Sequence, residues 1–210
     1  GPRPGSNHLG DLPSFLQHFR AHGYRTAGIG KMHVPDEPND WLTEHTDALI
    51  EGDAYERYLK QRGLSEHHDR TAIKRLGVHV TDEAQPSELD FEDGAEGWIV
   101  DQTRRFIDAS LDEDKPFCAH VSLYKPHQPY TPPQPFWDMY DDDLTLPETL
   151  HHDAGHRPPH FQRMVERFRQ RTGVHEPSDF DELARRLWRG YLGCVSEVDQ
   201  FEAREVGEKA

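Results

Sequence analysis

Near the start of the chain, the hydrophobic pattern predicts a helix followed at once by a short buried strand. Apolar side chains recur on one side of a helix over residues 12–22: Phe15, Leu16 and Phe19. Asp11 or Ser14 is the expected N-cap, and Gly23 is placed to end the helix because glycine adopts the left-handed conformation without strain. Residues 26–29 are small and apolar, which is typical of a strand covered on both faces.

A second helix and strand follow in the middle of the chain. Residues 96–112 predict a helix with one apolar stripe, which consists of Trp98, Ile99, Phe106, Ile107 and Leu111. Residues 116–124 predict a strand, which must stop by Lys125 because Pro126 and Pro129 cannot donate to a sheet ladder. Helix, short loop and strand in this order favour a sheet with parallel neighbours.

Periodicity indicates two further helices. Residues 55–62 carry three apolar or aromatic side chains on one stripe: Tyr55, Tyr58 and Leu59. Residues 180–198 repeat such side chains every three or four positions: Leu183, Leu187, Tyr191, Cys194, Val195 and Val198. Residues 200–210 are charged and lose this stripe. Residues 126–178 are interpreted as an extended, proline-pinned loop followed by a histidine-rich segment.

Composition narrows the classes of protein that fit these elements. The 210 residues suit one domain or at most two, and 34% hydrophobic with 30% charged residues is lean for an α/β domain. A formal net charge of −15 argues against binding to nucleic acids or to acidic membranes. No apolar run approaches the ~20 residues of a membrane span. The chain starts at Gly1 without an initiator Met, which we interpret as a cut end, so the sequence predicts no compartment.

Both predicted strands deliver a lysine and a histidine two residues apart. Lys31 and His33 follow the first strand, and Lys125 and His127 follow the second. In open α/β sheets, ligands bind at the carboxyl ends of the strands. An ammonium group beside an imidazole suits an anion with a leaving group to be protonated, although each pair alone could equally belong to a solvated loop.

Other clusters of polar residues could suggest metal sites, but we interpret them as ordinary turns and surface segments. Residues 67–69 (His-His-Asp) could attract a metal, but adjacent side chains point different ways, so a solvated turn is the prediction. Residues 141–143 (Asp-Asp-Asp) lack the glycine and the distal glutamate of an EF-hand calcium loop, so a solvated acidic turn is the prediction. Four histidines among prolines match no regular zinc spacing: His151, His152, His156 and His160. Cys118 and Cys194 are expected to be buried free thiols.

Four landmarks occur in an order that resembles the sulfatase family, within the alkaline-phosphatase-like superfamily. They are GYRT with GKMH in residues 23–33, KPF with KPHQPY and PP in residues 115–133, YD with LPE in residues 140–148, and YLGCVSEVD in residues 191–199. Together they span roughly residues 11–200. The shared order carries the resemblance more than any single landmark does.

The resemblance implies a fold, a reaction and roles for four residues. The fold is an α/β three-layer sandwich with a mostly parallel sheet, of which residues 1–210 would be a partial catalytic domain, incomplete at both ends. Sulfatases hydrolyse sulfate esters with a formylglycine made from Cys or Ser in a Cys/Ser-x-Pro-x-Arg motif, assisted by a divalent cation, usually Ca²⁺. By resemblance, Lys31 contacts sulfate oxygens and the nucleophile, and His33 moves protons at the formylglycine. His127 lies by the bridging oxygen, and Lys125 adds positive charge.

Two parts of the family pattern are missing. No cysteine or serine here is followed by Pro-x-Arg, and the family's metal-binding segments would lie before Gly1 and after Asp199. The nucleophile and the Ca²⁺ ligands are therefore expected outside these 210 residues, and the chain alone is expected to be inactive.

The substrate is expected to be a small-molecule or glycan sulfate ester. Residues 44–92, a family-variable insertion, would shape its choice. A phosphonate monoester or phosphodiester hydrolase of the same superfamily is one alternative, and a non-catalytic remnant that binds anions is the other.

Overall fold

The computed structural model describes residues 13–32, 48–50, 52–141, 144–151, 155 and 157–207. The elements in chain order are α1 (Phe15–Ala21), β1 (Arg25–Gly30), β2 (Ala48–Ile50), α2 (Gly52–Gln61), α3 (Asp69–Arg75), α4 (Ala95–Asp112), β3 (Phe117–Ser122), α5 (Gln134–Trp137), α6 (Pro159–Thr172) and α7 (Pro177–Gly207). Short 3₁₀ turns occupy Ser65–His67 and Glu148–His151. None of the described helices is both long enough and apolar enough to cross a membrane.

The chain divides into two compact units. The first, which we call the sheet unit, comprises Gly1–Ser65 and Ala95–Tyr124, and the second, the helical unit, comprises Glu66–Gly94 and Lys125–Ala210. The division in the second half of the chain thus falls between Tyr124 and Lys125.

The sheet unit contains a three-stranded parallel sheet in the order β2-β1-β3. Ala27 of β1 is in register with Ala48 of β2 and with Ala119 of β3. From Thr26 to Gly30 every residue of β1 is buried, so both faces of this strand are covered. The helices in contact with β1 include α1 and α4. The predictions of a buried first strand and of parallel pairing are confirmed.

Helix α1 has one of the two predicted N-caps and the predicted glycine after its end, although it begins three residues later than expected. The side chain of Ser14 accepts a hydrogen bond from the Gln17 backbone N–H, which identifies Ser14 as the N-cap. Gly23 follows the helix with a φ of +86°, as its placement in the sequence predicted.

Helix α4 matches its prediction except at its last turn. Trp98, Ile99 and Phe106 are buried, whereas Leu111 is 61% exposed, so its assignment to the buried stripe is wrong. Ser110 is the buried residue of that turn, and its hydroxyl donates to the Phe106 carbonyl oxygen. A short polar side chain that bonds back to its own helix fits this place.

The helical unit contains a helix that the sequence analysis did not predict. Helix α6 lies in the segment that its prolines and histidines had suggested was irregular. Pro158 is its N-cap and Pro159 its first residue, positions where the missing N–H is not needed by the helix. Phe168 packs edge-on against Phe180 of α7. Prolines that read as loop signals therefore mark the start of this helix.

Helix α7 is longer than predicted at both ends. Its 31 residues continue through the charged segment after Val198, because Glu, Ala and Arg favour a helix even without an apolar stripe. Val195 is 38% exposed, so its place in the predicted buried stripe is wrong. The buried residues of this part of the helix are Gly190, Gly193, Cys194 and Glu197.

Candidate active site

Strand β1 ends at Gly30, a glycine that no other residue can replace without a shift of the neighbouring backbone. Gly30 has a φ of +92°, and a Cβ placed on it would lie 2.1 Å from the Ser122 carbonyl oxygen of β3. The next backbone N–H, that of Lys31, donates to the same oxygen at 2.8 Å. The carboxyl ends of β1 and β3 are therefore joined, and Lys31 leaves the sheet at a defined point.

The Lys31 side chain is half-buried and lies against an aromatic ring. Its Nζ is 5.9 Å from the centroid of the Tyr124 ring, a cation–π distance. The Tyr124 backbone N–H donates to Glu96 Oε1 at 3.1 Å, and Glu96 is fully buried in the first turn of α4. Within the sheet unit, Lys31 and Tyr124 thus lie at the same edge of the sheet, where β1 and β3 end. His33 lies outside the described residues.

In the helical unit, Lys125 lies between two carboxylates. Its Nζ is 2.8 Å from Glu197 Oε2 and 3.9 Å from Asp69 Oδ2. The side chains of Lys125 and Glu197 are 5% and 0% exposed. Asp69 in turn accepts a hydrogen bond of 2.6 Å from the Ser87 hydroxyl. An ammonium group buried this deeply needs such partners, because removing a charge from water is unfavourable.

His127 is exposed, two residues beyond the buried Lys125. Its Nδ1 lies 2.8 Å from the Gln128 carbonyl oxygen. A carbonyl oxygen can only accept, so Nδ1 carries the hydrogen of this bond, and Nε2 is the ring nitrogen that this bond does not engage. The Lys125–Pro126 and Gln128–Pro129 peptide bonds are both cis.

One face of α7 fits closely against the segment that carries His127. A Cβ on Gly190 would lie 2.9 Å from the Tyr130 Cβ, and one on Gly193 would lie 2.7 Å from the Pro132 Cγ. Cys194 and Glu197 continue the same face, at intervals of three and four residues. The segment therefore contacts α7 at its beginning, through Lys125, and again at residues 130–132.

Sequence reasoning missed Asp69 and Glu197 as partners of Lys125. Asp69 was noted only as part of a histidine-rich turn, and Glu197 interrupted an apolar stripe that was judged by its hydrophobic members. Two signals were present in α7: glycines three residues apart in a helix, which indicate close approach of another segment, and a carboxylate in line with them.

His67 and His68 each have a partner within the protein. His67 Nδ1 lies 2.9 Å from Glu88 Oε2, and His68 accepts from the Arg70 N–H as the N-cap of α3. Over the part of the chain that the structure describes, no group of three or more His, Cys, Asp or Glu residues is arranged to hold a metal ion. The prediction of a solvated turn at residues 67–69 is correct only in part: His67 ends a 3₁₀ turn, but Asp69 begins α3, is 16% exposed and lies 3.9 Å from the Lys125 Nζ. Asp142, Asp143, His152 and His156 lie outside the described residues.

Both cysteines are free thiols, as predicted, but Cys118 is not buried, contrary to the prediction. Cys194 is fully buried in α7, and Cys118 is half-buried in β3, where burial raises the pKa of its thiol. Neither is placed as a nucleophile by its neighbours in the sequence, since neither is followed by Pro-x-Arg.

Elsewhere in the helical unit, a cleft of about 330 Å³ is lined by paired charges. Arg171 binds Asp82 with two nitrogens, and Arg186 binds Glu83 in the same way. Burial works to raise the pKa of Asp82, but hydrogen bonds from Arg171 and Thr81 outweigh it and hold the pKa below its usual range. The hydrogen bonds that Arg186 donates to Glu83 likewise raise the pKa of the Arg186 guanidinium. Lys125 and His127 do not line this cleft.

Comparison with known families and proteins gives consistent matches. A family model described as Sulfatase matches residues 6–204 of the chain. The chain is 27% identical over 208 residues to a choline-sulfatase of Rhizobium meliloti (strain 1021), an alignment that covers 94% of this chain and 38% of that protein. It is 29% identical over 149 residues to an arylsulfatase of Clostridium perfringens (strain 13 / Type A), covering 63% and 30%. The chain thus spans well under half the length of these relatives.

Two solved structures share the fold. The phosphonate monoester hydrolase SpPMH from Silicibacter pomeroyi superposes with a TM-score of 0.61 at 20% identity, over 94% of this chain and 44% of that one. The phosphonate monoester hydrolase of Agrobacterium radiobacter gives a TM-score of 0.59 at 18% identity, over 93% and 43%. The predicted class, an α/β fold of the alkaline-phosphatase-like type with a parallel sheet, is confirmed.

Proposed function

Because the chain belongs to the sulfatase family, we propose that it forms part of a hydrolase of sulfuric esters. The strongest support for this proposal is the pair of side chains that follow the two strands. Lys31 follows β1 at the point where β1 is hydrogen-bonded to the end of β3. An exposed His127 follows β3 on residues 125–132, which we call the Lys-Pro-His segment. The two curated relatives are named for choline sulfate and aryl sulfates. A small-molecule or glycan sulfate ester is therefore the proposed substrate class.

Each proposed residue has a separate part in the reaction. Lys31 is proposed to stabilise negative charge on the sulfuryl oxygens, which fixed cations do well in a site that excludes water. His127 is proposed to protonate the leaving oxygen through Nε2, since imidazole exchanges protons near neutral pH. His33 is proposed to move protons at the nucleophile. Lys125 is proposed to add positive charge, with a weaker direct part than Lys31 because two carboxylates face its ammonium group.

Ca²⁺ and a formylglycine are proposed as the cofactors of the complete enzyme. The described residues contain no group that fits a metal cage, and no Cys/Ser-x-Pro-x-Arg motif occurs in the sequence. In a complete enzyme, the formylglycine would supply the nucleophile and the cation would polarise the sulfate. The steps assigned above are those of Lys31, His33, Lys125 and His127 alone.

A phosphonate monoester hydrolase is the second candidate, and the two solved structures with this fold favour it. A phosphonate and a sulfate ester present similar tetrahedral anions, so lysine and histidine at strand ends serve either. The family match and the two sulfatase relatives favour the sulfate ester.

The test is hydrolysis by the protein encoded by the complete reading frame, with 4-nitrophenyl sulfate and 4-nitrophenyl phenylphosphonate compared at equal concentration. We expect a higher kcat/KM for the sulfate ester. The reverse order would replace the main proposal by the phosphonate one. If neither ester is hydrolysed but sulfate still raises the Tm, the anion-binding remnant is the correct reading.

Variants of single residues test the roles. His127→Ala should lower kcat for phenyl sulfate by about 10²- to 10⁴-fold, the usual contribution of a positioned acid. His175→Ala is the matched control, because His175 is an exposed histidine of the same unit. Lys31→Met is compared with Lys74→Met, since Lys74 is an exposed lysine on α3. If a site variant and its control lower kcat equally, the role assigned to that residue is wrong.

A further inference from the structure

The Lys-Pro-His segment is anchored in the helical unit at both of its ends, while its histidine is exposed. At its beginning, Lys125 is held by Glu197 and Asp69. Beyond His127, Thr131 is fully buried, and residues 130–132 pack closely against Gly190 and Gly193 of α7. Such an arrangement fixes a side chain in space while leaving it accessible.

We propose that Glu197 is a positioning residue for His127, and this inference rests on the proposed function. Glu197 acts through Lys125: its carboxylate receives the ammonium hydrogen bond of 2.8 Å, and His127 follows Lys125 after one proline. Pro126 has a fixed φ and so transmits the position of Lys125 with little freedom. Through Lys125, Glu197 thereby fixes the position of the His127 Nε2.

The surroundings of Glu197 suit this role better than a general structural one. It occupies the same face of α7 as Gly190 and Gly193, and those glycines allow residues 130–132 to approach the helix. The face therefore contacts both ends of the segment, and Glu197 supplies the charge on this face that Lys125 needs. Asp69, at 3.9 Å and 16% exposed, is the more distant of the two carboxylates.

The test compares Glu197→Gln with Glu83→Gln. Both variants remove one carboxylate charge from an ion pair of the helical unit that involves α7, since Glu83 binds Arg186. Glu83 lines the cleft that contains neither Lys125 nor His127. Phenyl sulfate, whose leaving group needs a proton, is compared with 4-nitrophenyl sulfate, whose leaving group carries its own charge well. The enzyme is the protein encoded by the complete reading frame.

We expect Glu197→Gln to lower kcat for phenyl sulfate by about 10- to 100-fold, because small displacements of a catalytic group have effects of this size. The loss with 4-nitrophenyl sulfate should be much smaller, and KM should not change. The double variant with His127→Ala should be no slower than His127→Ala alone. Glu83→Gln should leave kcat unchanged for both esters.

Other outcomes overturn the proposal. Equal losses on both esters, or losses that multiply with that of His127→Ala, would show a role in the fold alone. A lower KM in Glu197→Gln would show that the glutamate restrains Lys125 as a direct ligand of the anion. If Glu197→Gln does not fold, Asp69→Asn weakens the same anchor, and a smaller loss confined to phenyl sulfate is expected from it.

A second measurement separates this inference from the proposed function. If the unaltered protein hydrolyses neither ester, the proposed function fails, and the position of His127 is then followed by NMR. The His127 ring resonances are assigned by their absence in His127→Ala. A shift of these resonances in Glu197→Gln, without a shift in Glu83→Gln, supports positioning. Unchanged resonances in Glu197→Gln would overturn it.

Discussion

Lys31 and Lys125 follow parallel-strand exits with the same lysine–histidine spacing, yet they lie in opposite environments. Lys31 is half-buried, and its ammonium group lies over the Tyr124 ring. Lys125 is 7% exposed and lies between Glu197 and Asp69. Lys31 is positioned by the backbone, through the hydrogen bond of its N–H to the Ser122 carbonyl oxygen. Lys125 is instead held by carboxylates from α3 and α7, which are distant from it in sequence. A shared sequence pattern therefore does not imply a shared environment: Lys31 is half-buried against an aromatic ring, and Lys125 is buried between two carboxylates.

The largest effect is expected from breaking the backbone arrangement before Lys31. Gly30→Ala would place a Cβ 2.1 Å from the Ser122 carbonyl oxygen, at a φ that other residues rarely adopt. Because that oxygen belongs to the backbone of β3, we expect the free energy of unfolding to fall by about 4 kcal/mol or more. Urea denaturation measures it.

The control for that variant is Gly23→Ala, which shares the positive φ but has nothing within 4 Å of the new Cβ. It should lower the free energy of unfolding by only about 1–2 kcal/mol, the cost of a left-handed conformation. Similar losses in the two variants would mean that the contact with β3 does not constrain the exit.

Removing each lysine's charge tests the comparison directly. Lys125→Met leaves Glu197 buried without its cation, so we expect a loss of about 3 kcal/mol or more in the free energy of unfolding. Lys31→Met loses a cation–π contact, worth about 0.5–1 kcal/mol. Urea denaturation of both variants at pH 7 gives the two values. Comparable losses would contradict the distinction between the two environments.

The close fit of α7 against the Lys-Pro-His segment predicts a smaller effect. A Cβ in Gly193→Ala would approach the Pro132 Cγ to 2.7 Å. Overpacking costs about 1–3 kcal/mol, and alanine recovers up to about 1 kcal/mol of helix propensity. We therefore expect a net destabilisation of about 1 kcal/mol, measured by the shift in Tm. A stabilised Gly193→Ala would show that the segment can move away from the helix.

The Asp82–Arg171 pair shows what an ion pair contributes when one partner is exposed. The pKa of Asp82 lies below its usual range, so its ionised form stabilises the fold above about pH 3.9, the ordinary value for aspartate. This contribution is lost as the pH falls further, through the lowered pKa.

Asp82→Asn should therefore lower the free energy of unfolding at pH 7 by on the order of 1 kcal/mol. The difference from the unaltered protein should shrink below pH 3.9. Denaturation curves between pH 7 and pH 2 give the comparison, and a difference that grows in acid would have the wrong sign.

Much of the local structure could be predicted from the sequence because its causes are local. Gly23 ends α1, the small apolar residues of β1 are buried, and Gly30 turns the chain out of the sheet, each by the conformational preference of the residues themselves. The two lysine–histidine exits were visible for the same reason. The sequence alone thus determined the parallel α/β class and the ends of β1 and α4, and its ordered landmarks indicated the family.

Tertiary structure decided the environment of each candidate residue. Glu197 is 72 residues from Lys125 in sequence, and no local pattern connects them. The reason for the two glycines of α7 is visible only from the segment that packs against them. Leu111 and Val195 were assigned to buried stripes by their periodicity, but the tertiary packing leaves both side chains exposed. The electrostatic environment of each lysine depends on the side chains that folding brings to it, because burial strengthens the effect of a nearby charge.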